Sequence, residues 1–274
     1  FTNKFVSFRI TGHKADSETG DAAQGDAKLS GGNYGLYADA AATVLLDEAV
    51  IDAKGNFTFK TLPLEGSSKT VYVKETVAPE GYNLDKTIYP AVVTQTDNTT
   101  EVITQNKTYT DNVMKGSFDF IKFANKPLLQ SQMDTLKDGQ KLPLVGAEFT
   151  LTHKATGKIV TVVKTDIQGY GKVNNLAYGK YTLTETNAPW GYKPIAPFDI
   201  EITAQGQHFN YIIEDKVIEA KVKIVKLDAT TGKTVPLAGT EYQILDSEKN
   251  VVKFHVNYPA DQDMDTFTST ADGT

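Results

Sequence analysis

Val71-Tyr-Val-Lys-Glu-Thr-Val-Ala-Pro-Glu-Gly-Tyr82 recurs as Tyr181-Thr-Leu-Thr-Glu-Thr-Asn-Ala-Pro-Trp-Gly-Tyr192, and this repetition decides the fold. The shared core is Glu-Thr-x-Ala-Pro-x-Gly-Tyr. A repeated box means copies of one supersecondary unit, so the period has to be found before local elements are assigned. Working outward, a second element appears three times, as Leu29-Ser-Gly-Gly-Asn-Tyr-Gly-Leu36, Leu144-Val-Gly-Ala-Glu-Phe-Thr-Leu151 and Leu237-Ala-Gly-Thr-Glu-Tyr-Gln-Ile244. Ahead of each, an alternating run ends on lysine: Phe8-x-Ile10-x-Gly12-x-Lys14, Phe118-x-Phe120-x-Lys122 and Val222-x-Ile224-x-Lys226. Two of these continue almost identically, as Lys14-Ala-Asp-Ser-Glu-Thr-Gly20 and Lys226-Leu-Asp-Ala-Thr-Thr-Gly232.

The parse that follows has a complete repeat over 5–114, a second over 115–217, and a third over 218–274 that stops before its Ala-Pro-x-Gly-Tyr box. Residues 1–4 read as the end of a preceding repeat, and both ends are expected to be cut from a longer chain. Within each repeat the pattern has period two. Runs such as Phe57-Thr-Phe-Lys60, Ile159-Val-Thr-Val-Val163 and Phe209-Asn-Tyr-Ile-Ile213 are separated by Gly, Asp and Asn turns. The expected fold is all-β, with tandem antiparallel Ig-like or prealbumin-like sandwiches. Ala38 to Ile51 has helical propensity, but its register against Thr152 to Asp166 favours a hairpin, with a short helix as the alternative. The polar insertions Asp16 to Lys28 and Ala124 to Lys141 are expected to decorate the sandwiches.

Composition narrows the function. The 274 residues contain no cysteine, which excludes disulfides, thiolate metal sites and a cysteine nucleophile. A net charge of −6 argues against a nucleic-acid partner, whose phosphates need clustered Lys and Arg. No apolar run is long enough to insert in a membrane, and Phe1-Thr2-Asn3-Lys4 does not read as a signal peptide.

The alternation singles out unusual residues. Lys14 shares a strand face with Phe8 and Ile10, and Lys122 with Phe118 and Phe120. Glu75 is in phase with Val71 and Val73, and Glu185 with Tyr181 and Leu183. Asp111 is in phase with Tyr109, and Asp215 with Phe209, Tyr211 and Ile213. Each complete repeat thus sends one Lys, one Glu and one Asp inward. Burying three ionised groups costs several kcal/mol each unless they pair or neutralise. Desolvation disfavours the charged form of amine and acid alike, and a neutral amine is a nucleophile while a protonated carboxyl is an electrophile. A neighbouring Glu can polarise the acid and move protons. The product would be a Lys-to-Asp amide.

These residues resemble the Cna-B-type domains, also called SpaA-type or prealbumin-like, of Gram-positive adhesins and pilins. The resemblance rests on the Lys-x-Asp-x-x-Thr-Gly start, the Leu-x-Gly-Ala-x-Phe element and the box, and it spans essentially the whole chain. It implies an autocatalytic isopeptide between the first-strand Lys and a last-strand Asn or Asp, assisted by the box Glu. By position, the first repeat would use Lys14, Glu75 and Asp111, and the second Lys122, Glu185 and Asp215. Spacing agrees: Asp111 precedes Lys122 by eleven residues, Asp215 precedes Lys226 by eleven, and Asn3 precedes Lys14 by eleven. Asn112 is the rival acceptor in the first repeat, though out of phase with Tyr109. Lys226 has neither a box Glu nor an acceptor, so no third bond is expected. Gly12-His13 departs from the apolar run expected before the lysine, and suggests a bulge.

Other chemistry has little support. Asp261-x-Asp263-x-Asp265 starts like a calcium loop, but Thr266 stands where Gly is needed. His13, His153, His208 and His255 lie singly, and no phosphate loop or nucleophile elbow is present. No cofactor or metal is expected. Trp190 and Tyr192 suggest a lid over the cross-link pocket, with an exposed aromatic patch for sugar or protein as the alternative. The expected function is a stalk segment of a surface adhesin or pilus-like protein, extracellular and anchored to the cell wall through a C-terminal signal outside this sequence. It is not expected to be an enzyme with turnover. Its partners would be neighbouring repeats and a host or microbial surface ligand. The alternative is a ligand-binding adhesin acting through its insertions.

Overall fold

The computed structural model describes residues 6–97, 99–128, 130–219, 222–256 and 262–274. Asn3 and Asp261 lie outside the described residues, as does the side chain of His255. The chain divides into two compact units, Phe1–Ile218 and Glu219–Thr274.

The first unit holds two β-sandwiches in tandem. The first comprises β1 (Ser7–Asp16), β2 (Asn33–Tyr37), β3 (Leu45–Val50), β4 (Asn56–Thr58), β5 (Leu62–Pro63), β6 (Ser68–Val77), β7 (Ile88–Thr94) and β8 (Val102–Asp111). The second comprises β9 (Lys115–Ala124), a short helix α1 (Gln130–Met133), β10 (Glu148–His153), β11 (Ile159–Lys164), β12 (Tyr170–Ala177), β13 (Gly179–Asn187), β14 (Tyr192–Lys193), β15 (Phe198–Ile202) and β16 (His208–Val217). One sheet of the first sandwich runs β4-β1-β5, with β8 also paired to β1, and the other β3-β2-β6-β7. The second has β12-β9-β16-β14 over β11-β10-β13-β15.

Period-two burial builds both cores. Phe8, Ile10, Tyr34, Leu36, Val71 and Val73 meet between the sheets of the first sandwich, and Phe118, Phe120, Phe149, Leu151, Tyr181 and Leu183 between those of the second. Nearly all ladders are antiparallel. The exception is the pair of first and last strands, which run parallel in both sandwiches, β1 with β8 and β9 with β16. Ala38 to Ile51 forms no helix. Asp39 accepts the N–H of Thr43 (3.0 Å) and of Val44 (2.7 Å), so a side-chain-capped turn replaces the helical bonds and leads into β3.

β1 carries no bulge at Gly12-His13, because its register with β4 and β8 is unbroken. Gly12 lies opposite Phe57, and a Cβ there would come within 2.2 Å of the ring. The glycine makes room for an aromatic ring supplied from the neighbouring strand.

The first insertion does more than decorate. Asp26 donates its N–H to the Tyr178 carbonyl (2.9 Å), accepts the N–H of Lys180 (2.8 Å) and lies 3.0 Å from His153 Nε2. Gly25, with a positive φ of 59°, lets the backbone pass where a Cβ would meet the Tyr178 carbonyl at 2.2 Å. Glu18 pairs with Lys115 at 2.6 Å. The insertion is a strap between the sandwiches.

The second unit has β17 (Glu241–Tyr242), β18 (Phe254–Val256), β19 (Gln262–Met264) and β20 (Phe267–Thr268), in two-stranded sheets. Val222 to Lys226 forms no strand, contrary to its alternating pattern. In each sandwich the matching segment is held by a parallel last strand, and no such strand lies beside it among the described residues.

Candidate functional site

Each sandwich places a lysine, a glutamate and an aspartate in one closed pocket. In the first, Lys14 pairs in register with Tyr109, so Asp111 sits two residues further along the adjacent strand on the same face. In the second, Lys122 pairs with Ile213, and Asp215 is again two residues on. The glutamates reach in from the opposite sheet, on β6 and β13. The side chains of Lys14, Glu75, Asp111, Lys122, Glu185 and Asp215 are 0% exposed.

Lys14 Nζ is 2.8 Å from Glu75 Oε1 and 2.5 Å from Asp111 Oδ1. The Asp111 contact is shorter than an ordinary charge-assisted hydrogen bond and lacks the angles of one, and neither Asp111 oxygen has a hydrogen-bond partner. Lys122 Nζ donates to Glu185 Oε2 at 2.8 Å and, in a short contact with hydrogen-bond angles, to Asp215 Oδ1. Asn112 does not approach Lys14. It is exposed, and its side-chain oxygen accepts from the Ser17 hydroxyl at 2.6 Å.

One cation with two carboxylates leaves a closed site one proton short of neutrality. Burial is the main cause that raises the Asp111 carboxyl to about 7; the Glu75 charge adds to it and Lys14 opposes it. Asp215 is raised to about 6 by burial and Glu185, again against Lys122. Asp16, which faces Asp111 across the ladder, behaves oppositely. Burial raises it too, but the N–H groups of Glu18 and Thr19 and the Tyr82 hydroxyl outweigh this and hold it below the usual carboxylate range. Of these two carboxyls, the one drawn towards its neutral form is the one against the lysine.

Backbone donors hold the glutamates. Glu75 Oε2 accepts the N–H of Asp85 (2.8 Å) and Glu185 Oε2 that of Ile195 (3.0 Å), ten residues on in both. The sequence reading missed these donors, and it missed Tyr34. Lys14 Nζ donates to the Tyr34 hydroxyl at 2.9 Å. Tyr34 is the cross-strand neighbour of Glu75, as Phe149 is of Glu185, and both rings lie 5.3 Å from the lysine nitrogen. The aligned Leu29–Leu36 and Leu144–Leu151 elements mark the position, with Tyr in one and Phe in the other, but not what the hydroxyl meets.

Tyr192 is buried and donates to the Lys126 carbonyl (3.1 Å), whereas Trp190 is 84% exposed and covers no pocket. Lys226 donates to the Thr240 hydroxyl at 3.2 Å. No metal-holding cluster of His, Asp or Glu occurs among the described residues. None of their helices is long and apolar enough to cross a membrane.

A family model described as the SpaA prealbumin-like fold domain matches residues 9–108 and 133–217. No curated protein matches the chain. Among solved structures, the Bacillus anthracis TIE protein is similar at 24% identity and TM-score 0.57, over 98% of this chain and 42% of that one. This chain thus spans less than half of that protein. GBS52, the minor pilin of Streptococcus agalactiae, matches at 16% identity and TM-score 0.36, over 80% of this chain and all of its own. A C-terminal fragment of the pilus adhesin SpaC from Lactobacillus rhamnosus GG matches at 17% identity and TM-score 0.48, over 80% and 100%.

Proposed function

The chain belongs to the SpaA prealbumin-like domain family, and from that premise we propose that it is a stalk segment of a Gram-positive surface adhesin or pilus-like protein, in which each sandwich closes itself with a Lys–Asp isopeptide bond. The observation that carries this reading is the contact of Lys14 with Asp111 and of Lys122 with Asp215, each beside a buried glutamate. On this reading the repeats span 5–114 and 115–217, and the segment acts outside the cell, in line with neighbouring repeats of an anchored chain.

The reaction balances within the pocket. The lysine ammonium gives a proton to the glutamate, and the freed amine attacks the carboxyl carbon of the protonated aspartic acid. The C–O bond to the departing hydroxyl breaks, that hydroxyl leaves as water with a proton from the attacking nitrogen, and the glutamate ends protonated. An ammonium, a carboxylate and a carboxylic acid become an amide, a water and a carboxylic acid, and no charge stays buried. The apolar walls favour this outcome, because every ion they enclose costs free energy. Each site reacts once.

The bond joins first and last strands, so tension passes from one to the other through a covalent link and does not shear the ladder between them. Ligand binding through the insertions has less support, since the first insertion is engaged between the sandwiches. Intact mass tests the proposal: the purified chain should weigh two waters less than its sequence. The full sequence mass would overturn it, and loss of an ammonia would move the first acceptor to Asn112.

A further inference from the structure

The two pockets differ at one polar atom on the lysine. In the first sandwich the Tyr34 hydroxyl and Glu75 each take an N–H of Lys14, and the contact with Asp111 is left without hydrogen-bond geometry. In the second, Phe149 offers no acceptor, and Lys122 turns an N–H onto Asp215 itself. An aspartate that receives an N–H from the lysine is drawn towards the carboxylate of an ion pair, the less reactive form. An aspartate that is touched but not hydrogen-bonded is free to stay protonated and to meet the nitrogen lone pair at its carbon.

We propose that Tyr34 is a positioning residue for bond formation in the first sandwich: its hydroxyl draws one N–H of Lys14 away from Asp111 and so aims the amine at the acceptor carbon. The inference rests on the isopeptide reading and deepens it. Tyr34 is well placed for the task, because its ring is buried and stacked on Phe57 at 4.3 Å, which fixes the hydroxyl. The titrating groups facing Asp111 are Lys14, Asp16, Tyr34, Glu75, Tyr82 and Tyr89. Those facing Asp215 are Lys122, Glu185 and Tyr192.

The test starts both reactions together. The whole chain, collected unfolded from inclusion bodies, is refolded by dilution between pH 5 and 9 and quenched at intervals. The Lys14–Asp111 and Lys122–Asp215 peptides are then counted by mass after digestion, with folding followed by circular dichroism. Tyr34→Phe should slow the first bond about fivefold, the effect of one hydrogen bond, and leave the second as an internal clock. It should also lower the pH at which the first rate falls off, towards that of the second. Phe149→Tyr should speed the second bond and move its profile up, and it keeps the test alive if Tyr34→Phe folds poorly. Unchanged rates and profiles in both variants, with both bonds forming, would overturn the role of Tyr34 and leave the isopeptide reading standing. If the parent chain forms neither bond, that reading falls and this one with it.

Discussion

The two sandwiches of the first unit solve one packing problem in mirror fashion. In the first, the glycine is on the leading strand and the ring on its neighbour, as Gly12 against Phe57; in the second, the ring is on the leading strand and the glycine opposite, as Phe120 against Gly171. A Cβ on either glycine would come within 2.2 or 2.3 Å of the facing ring. What the two repeats share is therefore the filled volume between strands, two residues before the lysine, and not the residue at any one position. The polar pocket is shared more strictly, with Lys, Glu and Asp at matching registers; around them the copies differ at Tyr34 against Phe149 on the glutamate's neighbour and at Asp16 against Ala124 across the ladder from the aspartate.

The largest expected effect would break that likeness altogether. Glu75→Ala should restore one water to the mass and lower the melting of the first sandwich, and Glu185→Ala should do the same in the second. By analogy with a disulfide closing a loop of about 100 residues, each proposed bond should contribute roughly 4–5 kcal/mol, about 20 °C in melting temperature. Calorimetry paired with intact mass checks this; a variant with unchanged mass would show its glutamate dispensable. Next come the glycines. Gly12→Val and Gly171→Val should each cost about 1–3 kcal/mol by overpacking, read from urea unfolding. Exchanging the residues, Gly12→Phe with Phe57→Gly, should recover part of the loss if volume is what the strands conserve.

A pH effect should be smaller. Folding raises the Asp111 carboxyl, so the uncrosslinked fold binds its proton more tightly than the unfolded chain. That stability is fully present below the ordinary carboxyl value and is lost as pH rises from about 4 through about 7. Glu75→Gln blocks the bond and removes the Glu75 charge but keeps burial, the larger cause, so urea unfolding at pH 4 and pH 7 should show a smaller loss than the full shift would give, on the order of 1 kcal/mol. The parent, its carboxyl consumed, should show none. The smallest effect concerns the strap: Asp26→Ala should leave both melting transitions nearly unchanged but broaden spin-label distances between the sandwiches.

Much of this was legible from period two alone. A lysine, a glutamate and an aspartate each in phase with core residues can only meet between the sheets. Tyr34 was not legible as a lysine partner, because a tyrosine in phase with Leu36 reads as another core ring and its hydroxyl direction is a tertiary fact. The strap was hidden for the opposite reason: Asp16 to Lys28 is polar and reads as solvated, whereas its polar groups are spent on Tyr178, Lys180 and Lys115. Val222 to Lys226 shows the limit of pattern, since alternation licenses a strand only where a partner strand exists to receive it.

The parallel pairing of first and last strands has a topological consequence. Were Lys14 joined to Asp111 as proposed, residues 15–110 would form a closed side branch, and the continuous covalent path would run along β1 to Lys14 and on from Asp111 into β9. A protease that cut any exposed loop within that branch would leave the path whole. A filament of such domains could carry nicked loops and still hold its two ends together.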